Sequence, residues 1–104
     1  MQNVVAIFTL YGDPDELLDA YDRAMPAIKA GTSDYGAPLS HVCARTDDGI
    51  RIVDVWESGD ALQQFVEHPR FRNALRDAKL KDPDAVEVLP AHTLGWSARE
   101  PAPA

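Results

Sequence analysis

The sequence predicts an α+β fold of the ferredoxin-like βαββαβ type, in which one four-stranded antiparallel sheet carries its helices on one face. Three features predict it: β-branched strand segments, helix starts with recognisable caps, and short connections between the elements. The chain has 104 residues, of which 45% are hydrophobic, enough for one domain with one core. We assign residues 1–96 to that domain and expect 97–104 to be a flexible tail.

The first strand is predicted over Asn3–Leu10, where apolar residues occupy both faces. In a chain this small the helices can cover one face, so the other face predicts contact with a second copy. The first helix is expected to begin with Asp13 as its N-cap and Pro14 at its first position, and to end near Gly31. Pro26 is expected to kink or shorten this helix, because proline lacks a backbone donor.

A hairpin is predicted from Leu39–Thr46 and Ile50–Trp56, with a turn signal at Asp48-Gly49. The preceding residues, Thr32–Pro38, are expected to form a loop that lines a ligand entrance. A different loop length would shift the register of the hairpin. With a loop of Asp48 and Gly49, the register pairs His41 with Trp56, Cys43 with Asp54 and Arg45 with Ile52.

A broken helix and a last strand complete the order of elements. Ser58 is the predicted N-cap of the first helical segment. His68-Pro69 interrupts the helix, because proline disfavours helical geometry in the residue before it but suits the first position of a new helix. The final strand is predicted over Ala85–Leu94, with Pro90 at an edge or a bulge.

Charge and cysteine content exclude several classes of function. The net charge is −7, which argues against nucleic acid and anionic membranes as partners. Cys43 is the only cysteine, so an intrachain disulfide is excluded and a reducing, cytoplasmic location is expected. The three histidines lie on separate elements without metal-ligand spacing, so we expect no metal and no other cofactor.

At this point the chain resembles the dimeric α+β barrel superfamily, most closely its antibiotic biosynthesis monooxygenase-like members. The resemblance implies a homodimer whose two sheets form a barrel, with one ligand pocket per subunit between sheet and helices. Members include cofactor-free oxygenases of polycyclic aromatic substrates, haem-degrading oxygenases, polyketide cyclases and proteins without known activity. The residues that carry the resemblance are Val53-Asp54-Val55-Trp56-Glu57-Ser58, Ala61-Leu62, Phe65, Pro69, Phe71 and Ala74.

Two branches of the superfamily differ from this chain at their functional positions. Where the haem-degrading branch has a histidine ligand and a helix tryptophan, this sequence has Leu75 and Phe65. The His-Pro of a plant polyketide cyclase matches His68-Pro69, but Phe71 stands at the position of its catalytic histidine and Phe65 at that of its tyrosine. Both activities are therefore retained only as further alternatives.

The candidate catalytic residues are His41, Asp54 and His92. Asp54 lies in an otherwise apolar strand, and a buried carboxylate is costly unless it has a partner. If His41 or Arg45 faces it, the pair is satisfied, and an imidazole oriented by an aspartate can act as a general base. The alternative is structural: Asp54 caps a loop or meets an arginine of a partner chain.

Two function classes remain open. The first is a protein that binds a small aromatic or polyketide-like molecule and oxygenates it without a cofactor, with His41 or His92 as base and Asp54 as orienting residue. The second is a homodimer that holds such a ligand, or only dimerises, without chemistry. A histidine that reaches the pocket interior favours the enzyme. The expected substrate-binding residues are Tyr11, Phe8, Trp56, Phe65 and Leu75.

Overall fold

The computed structural model describes residues 2–95, and within these residues the chain forms four strands and four helices. The predicted tail, 97–104, lies outside them. The elements in chain order are β1 (Val4–Tyr11), α1 (Pro14–Ala30), α2 (Thr32–Tyr35), β2 (Ser40–Thr46), β3 (Gly49–Trp56), α3 (Gly59–Glu67), α4 (Pro69–Asp77) and β4 (Ala85–Pro90).

The strands form one antiparallel sheet in the order β2-β3-β1-β4. The helices lie on a single face of it, where Ala6, Leu10, Ile50 and Trp56 are buried beneath α1 and α3. The predicted α+β, ferredoxin-like arrangement is therefore confirmed.

Local sequence signals set the residues at which the helices begin. The carboxylate of Asp13 accepts hydrogen bonds from the second and third amides of α1, and the hydroxyl of Ser58 accepts one from Ala61 in α3. His68 separates α3 from α4, where its Nδ1 accepts from the Arg70 amide. These contacts satisfy backbone donors that a helix start leaves without partners.

Helix α1 is not shortened at Pro26 but continues to Ala30, and it ends at Gly31 as predicted. One local prediction is wrong. The predicted loop over Thr32–Pro38 begins with the short helix α2, whose Tyr35 is buried. The hydroxyl of Tyr35 donates to the Ile28 carbonyl, which fastens this turn to the end of α1.

The hairpin register is also different from the predicted one. The two loop residues are Asp47 and Asp48, Thr46 pairs with Gly49, and His41 therefore lies opposite Asp54 instead of Trp56. Gly49 is needed inside the strand and not in the turn, because a Cβ there would collide with the Leu10 carbonyl of β1. The glycine therefore marks close contact between strands.

The face of the sheet that points away from the helices is uncovered within the described chain, and it is mostly apolar apart from Thr9, Arg51 and Glu87. We call it the bare face. Val42 and Leu89 are 53% and 42% exposed, while Ile7, Val53 and Val55 on the same face are partly exposed.

Candidate active site

A cavity of about 510 Å³ lies between the helices and the helix-covered face of the sheet. Its lining is predominantly apolar, with Phe8 and Ile52 from the sheet and Phe65 and Leu75 from the helices. This size and character are typical of sites for small organic molecules.

The polar groups of the cavity wall centre on Asp54. Its side chain is 6% exposed, and its Oδ1 lies 2.5 Å from Nδ1 of His41 on the neighbouring strand. The register His41↔Asp54 places both side chains on the helix side of the sheet, and both line the cavity. Because an ionised carboxylate can only accept, Nδ1 of His41 carries the hydrogen in this pair.

Tyr21 continues this hydrogen-bonded chain. Its hydroxyl lies 2.5 Å from Nε2 of His41, and the two rings are parallel with centroids 5.9 Å apart. With Nδ1 donating to Asp54, Nε2 is the acceptor and the Tyr21 hydroxyl donates. The structure thus brings together Tyr21, His41 and Asp54, which we call the triad, along one wall of the cavity.

Burial sets the electrostatics of Asp54. Desolvation raises the pKa of its carboxyl above the ordinary value, while the hydrogen bond and charge of His41 act to lower it. The Trp56 indole lowers it slightly as well, although its buried Nε1 forms no hydrogen bond of normal geometry to any described residue. His41 is therefore the main group that offsets the burial of this carboxylate.

The phenol of Tyr21 is held in its protonated form. Burial raises its pKa to about 12, and so do the nearby charges of Asp54 and, at the high pH where Tyr21 loses its proton, of the Cys43 thiolate. At neutral pH the Tyr21 hydroxyl is consequently a hydrogen-bond donor, which agrees with its role toward Nε2 of His41.

Some of the remaining predicted site residues line the cavity and others do not. Phe8, Phe65 and Leu75 line the cavity. Trp56 is 1% exposed and lies under Phe65, with ring centroids 4.7 Å apart, so it supports the wall without lining it.

Tyr11 and His92 do not reach the cavity. Tyr11 ends β1 and is 50% exposed, and His92 is exposed beyond the end of β4. The structure therefore brings His41 and Asp54 together but leaves the other candidate base outside.

Sequence reasoning missed Tyr21 as a site residue. Its signal was available, because Tyr21, Met25 and Ile28 follow helical spacing on α1 and all line the cavity. A tyrosine in such an apolar stripe is expected to be a core residue, and only its contact with His41 shows that Tyr21 belongs to the candidate site.

The triad does not fit an axial ligand for haem. His41 is the one histidine that lines the cavity in the part of the chain described, and both of its ring nitrogens are engaged. Leu75 also has no ligating atom.

Within residues 2–95 no group of three or more histidine, cysteine or acidic side chains could hold a metal ion. No helix formed by these residues is long and apolar enough to cross a membrane.

Comparison with solved structures identifies the class of fold. SnoaB from Streptomyces nogalater, a cofactor-independent oxygenase, superposes with a TM-score of 0.58 at 18% identity, over 95% of this chain and 97% of that one. An antibiotic biosynthesis monooxygenase assigned by similarity in Chloroflexus aurantiacus gives 0.57 at 17% identity, over 91% and 96%. No family model matches the sequence, and no curated protein matches it significantly.

A third similar structure has no assigned activity. A dimeric ferredoxin-like protein of unknown function from Jannaschia sp. CCS1 gives a TM-score of 0.55 at 10% identity, over 89% of this chain and 100% of that one. The chain therefore has the same ferredoxin-like α+β fold as these proteins, as the sequence predicted. At these identities the likeness shows the fold alone.

Proposed function

We propose that this protein binds a small aromatic or polyketide-like molecule in the cavity and oxygenates it without a cofactor, with His41 as the general base. The observation that carries this proposal is the His41 imidazole, held by the buried carboxylate of Asp54 at the wall of an apolar cavity. Asp54 fixes the tautomer that leaves Nε2 as a proton acceptor and stabilises the imidazolium once a proton has been taken.

The chemistry that suits this site begins with an acidic carbon beside a phenolic or carbonyl group. His41 removes a proton from a ring CH2, and the resulting carbanion gives an electron pair to dioxygen as the carbon–oxygen bond forms. Return of the proton gives a hydroperoxide, which loses water to leave a ketone. One oxygen atom enters the product and the other leaves as water, so dioxygen is the only oxidant. The apolar lining of the cavity and the Tyr21 hydroxyl, as a donor to the developing oxyanion, would favour the carbanion.

A second function is favoured by one specific contact. Nε2 of His41 is already occupied by the Tyr21 hydroxyl, so a substrate must displace that bond before His41 can act. If the bond persists, the protein holds its ligand without chemistry. Binding with no uptake of dioxygen would identify this accessory role.

The proposed assembly is a homodimer joined through the bare face. Its exposed valine and leucine side chains form an apolar surface of the kind that soluble subunits bury. Two proteins of the same fold are described as dimeric, which supports this arrangement. It leaves the cavity, on the opposite face of the sheet, free for ligand.

The test combines binding with turnover. Phenols, quinols and anthrones are screened for thermal stabilisation, and the best ligand is then followed by dioxygen uptake and product mass. His41→Gln keeps a donor toward Asp54 but removes the base, so it should bind and not consume dioxygen. His92→Gln is the matched control and should behave as wild type. Uptake that survives in His41→Gln would refute the proposed base, and binding without uptake in the wild type would favour the accessory role.

A further inference from the structure

Two cations lie on the rim of the otherwise apolar cavity. Lys29 of α1 and Arg72 of α4 both line it and are exposed, and neither forms an ion pair with any residue between 2 and 95. The chain carries a net charge of −7, so acidic partners are plentiful elsewhere. A third cation, Lys81, also lines the cavity but is bound to Asp84 at 2.8 Å and to the Tyr11 carbonyl at 2.9 Å.

Two contacts at either end of α4 show how the segments that contain Lys29 and Arg72 are arranged. Arg23 of α1 donates to the Ala78 carbonyl at the end of α4, at 3.0 Å. Arg70 at the start of α4 pairs with Asp34, just beyond α1, at 2.7 Å. The two helices therefore run in opposite directions, and the segments that contain Lys29 and Arg72 lie between these two contacts.

Two cations on the wall of one cavity attract an anion that enters it. We propose that the ligand carries a carboxylate which Lys29 and Arg72 bind at this rim, while its apolar body occupies the cavity. Arginine and lysine bind carboxylates through charge-assisted hydrogen bonds. This inference rests on the proposed function, because it requires the ligand to lie in the cavity beside the triad.

The spacing along α1 sets the size of the ligand. Tyr21 and Lys29 are separated by eight residues of α-helix, or about 12 Å along its axis. Met25 and Ile28 line the cavity between them. A ligand that reaches from the rim cations to His41 must span this distance with an apolar body, as a fused polycyclic aromatic acid does.

The acidic residue of the rim lies elsewhere. Asp82 lines the cavity next to Lys81, and Lys81 donates to the carbonyl of Tyr11, which lies just before the start of α1. Lys29 lies at the opposite end of α1, so the rim is basic where the proposed carboxylate binds.

The experiment compares anthracene carboxylate with the neutral anthracene carboxamide, measured by fluorescence anisotropy on the full chain. Wild type should bind the acid about tenfold more tightly than the amide at low salt, the scale of two partly exposed charge contacts, and this preference should shrink as salt is added. In Lys29→Met/Arg72→Met the acid and the amide should bind with equal affinity, so the preference should disappear. Arg76→Met, an exposed change on α4 outside the cavity, is the matched control and should keep the preference.

The outcomes separate this inference from the proposed function. Equal binding of acid and amide by wild type, or an acid preference that survives in the double variant, would overturn the carboxylate site and leave a ligand-binding cavity intact. Failure of both probes to bind would overturn the carboxylate site and also remove support for the cavity as the ligand site.

Discussion

Replacing His41 with alanine should destabilise the fold by leaving the Asp54 carboxylate buried without its partner. Asp54 as a whole residue is 4% exposed, and His41 provides the hydrogen bond to its side chain. Loss of a hydrogen bond to a buried charged group costs about 1.5–3 kcal/mol, and breaking a buried ion pair about 3–5 kcal/mol. The cost has an upper limit, because Asp54 can take up a proton instead of remaining charged.

That limit depends on pH. From the ordinary aspartic acid pKa of 3.8, protonating the group at pH 7 costs about 4 kcal/mol, and at pH 5 about 2 kcal/mol. We therefore expect His41→Ala to lower the free energy of unfolding by about 2–4 kcal/mol at pH 7 and by no more than about 2 kcal/mol at pH 5.

The direction in which stability changes with pH follows from proton linkage. Burial raises the pKa of Asp54 in the folded chain, so between the ordinary value and the raised one the folded state binds more protons than the unfolded state. Stability therefore falls as the pH rises through that interval. Removing His41 takes away the contributions that lower this pKa, so the fall extends to higher pH and becomes larger.

Urea unfolding at pH 5 and pH 7, at one fixed protein concentration, measures the effect. Asp54→Asn added to His41→Ala removes the buried charge and should restore most of the lost stability. His92→Ala, at an exposed position outside the cavity, should change the free energy of unfolding by less than about 0.5 kcal/mol. Equal destabilisation by His41→Ala at both pH values, with no restoration by Asp54→Asn, would refute the reasoning.

Three further predictions concern other parts of the molecule. Burial raises the pKa of Tyr21 to about 12, so ultraviolet titration of the wild type should include a phenol step near that pH. Tyr21→Phe should lack this step, and an unchanged titration would reject the burial argument. Val53→Asp, on the bare face, should convert the dimer into a monomer in analytical ultracentrifugation. Gln64→Asp, at an exposed position on α3, is the control and should leave the dimer intact. A Val53→Asp chain that remains dimeric would place the interface elsewhere. Gly49→Ala should destabilise the fold by about 1–3 kcal/mol or more in urea unfolding, because its Cβ collides with the backbone of β1. A cost well below about 1 kcal/mol would contradict the close approach.

Most of the fold could be predicted from local signals. The caps at Asp13 and Ser58 and the interruption at His68-Pro69 act over a few residues, so the sequence displays them directly. The hairpin register could not be predicted in this way. Asp48-Gly49 resembles a turn, but the contact that requires glycine at 49 is with β1, which lies far away in the sequence.

The candidate site shows the same division. Alternation along a strand placed Asp54 on the helix side of the sheet, and its unusual polarity in an apolar strand suggested a partner. The identity of that partner depended on register, and the structure selects His41 over Arg45, which pairs instead with Asp15. Tyr21 comes from a different element, so only the packing of α1 over β2 could reveal its contact with His41.

The central claim is that a ligand in the cavity reaches the imidazole of His41, and nitrogen NMR of ¹⁵N-histidine-labelled protein tests it most directly. Titration with a ligand from the thermal screen should shift the Nε2 resonance of His41, as the bond to Tyr21 is replaced, and leave the resonances of His68 and His92 in place. A saturating ligand that leaves Nε2 of His41 unchanged, or that shifts only His68 or His92, would contradict the account.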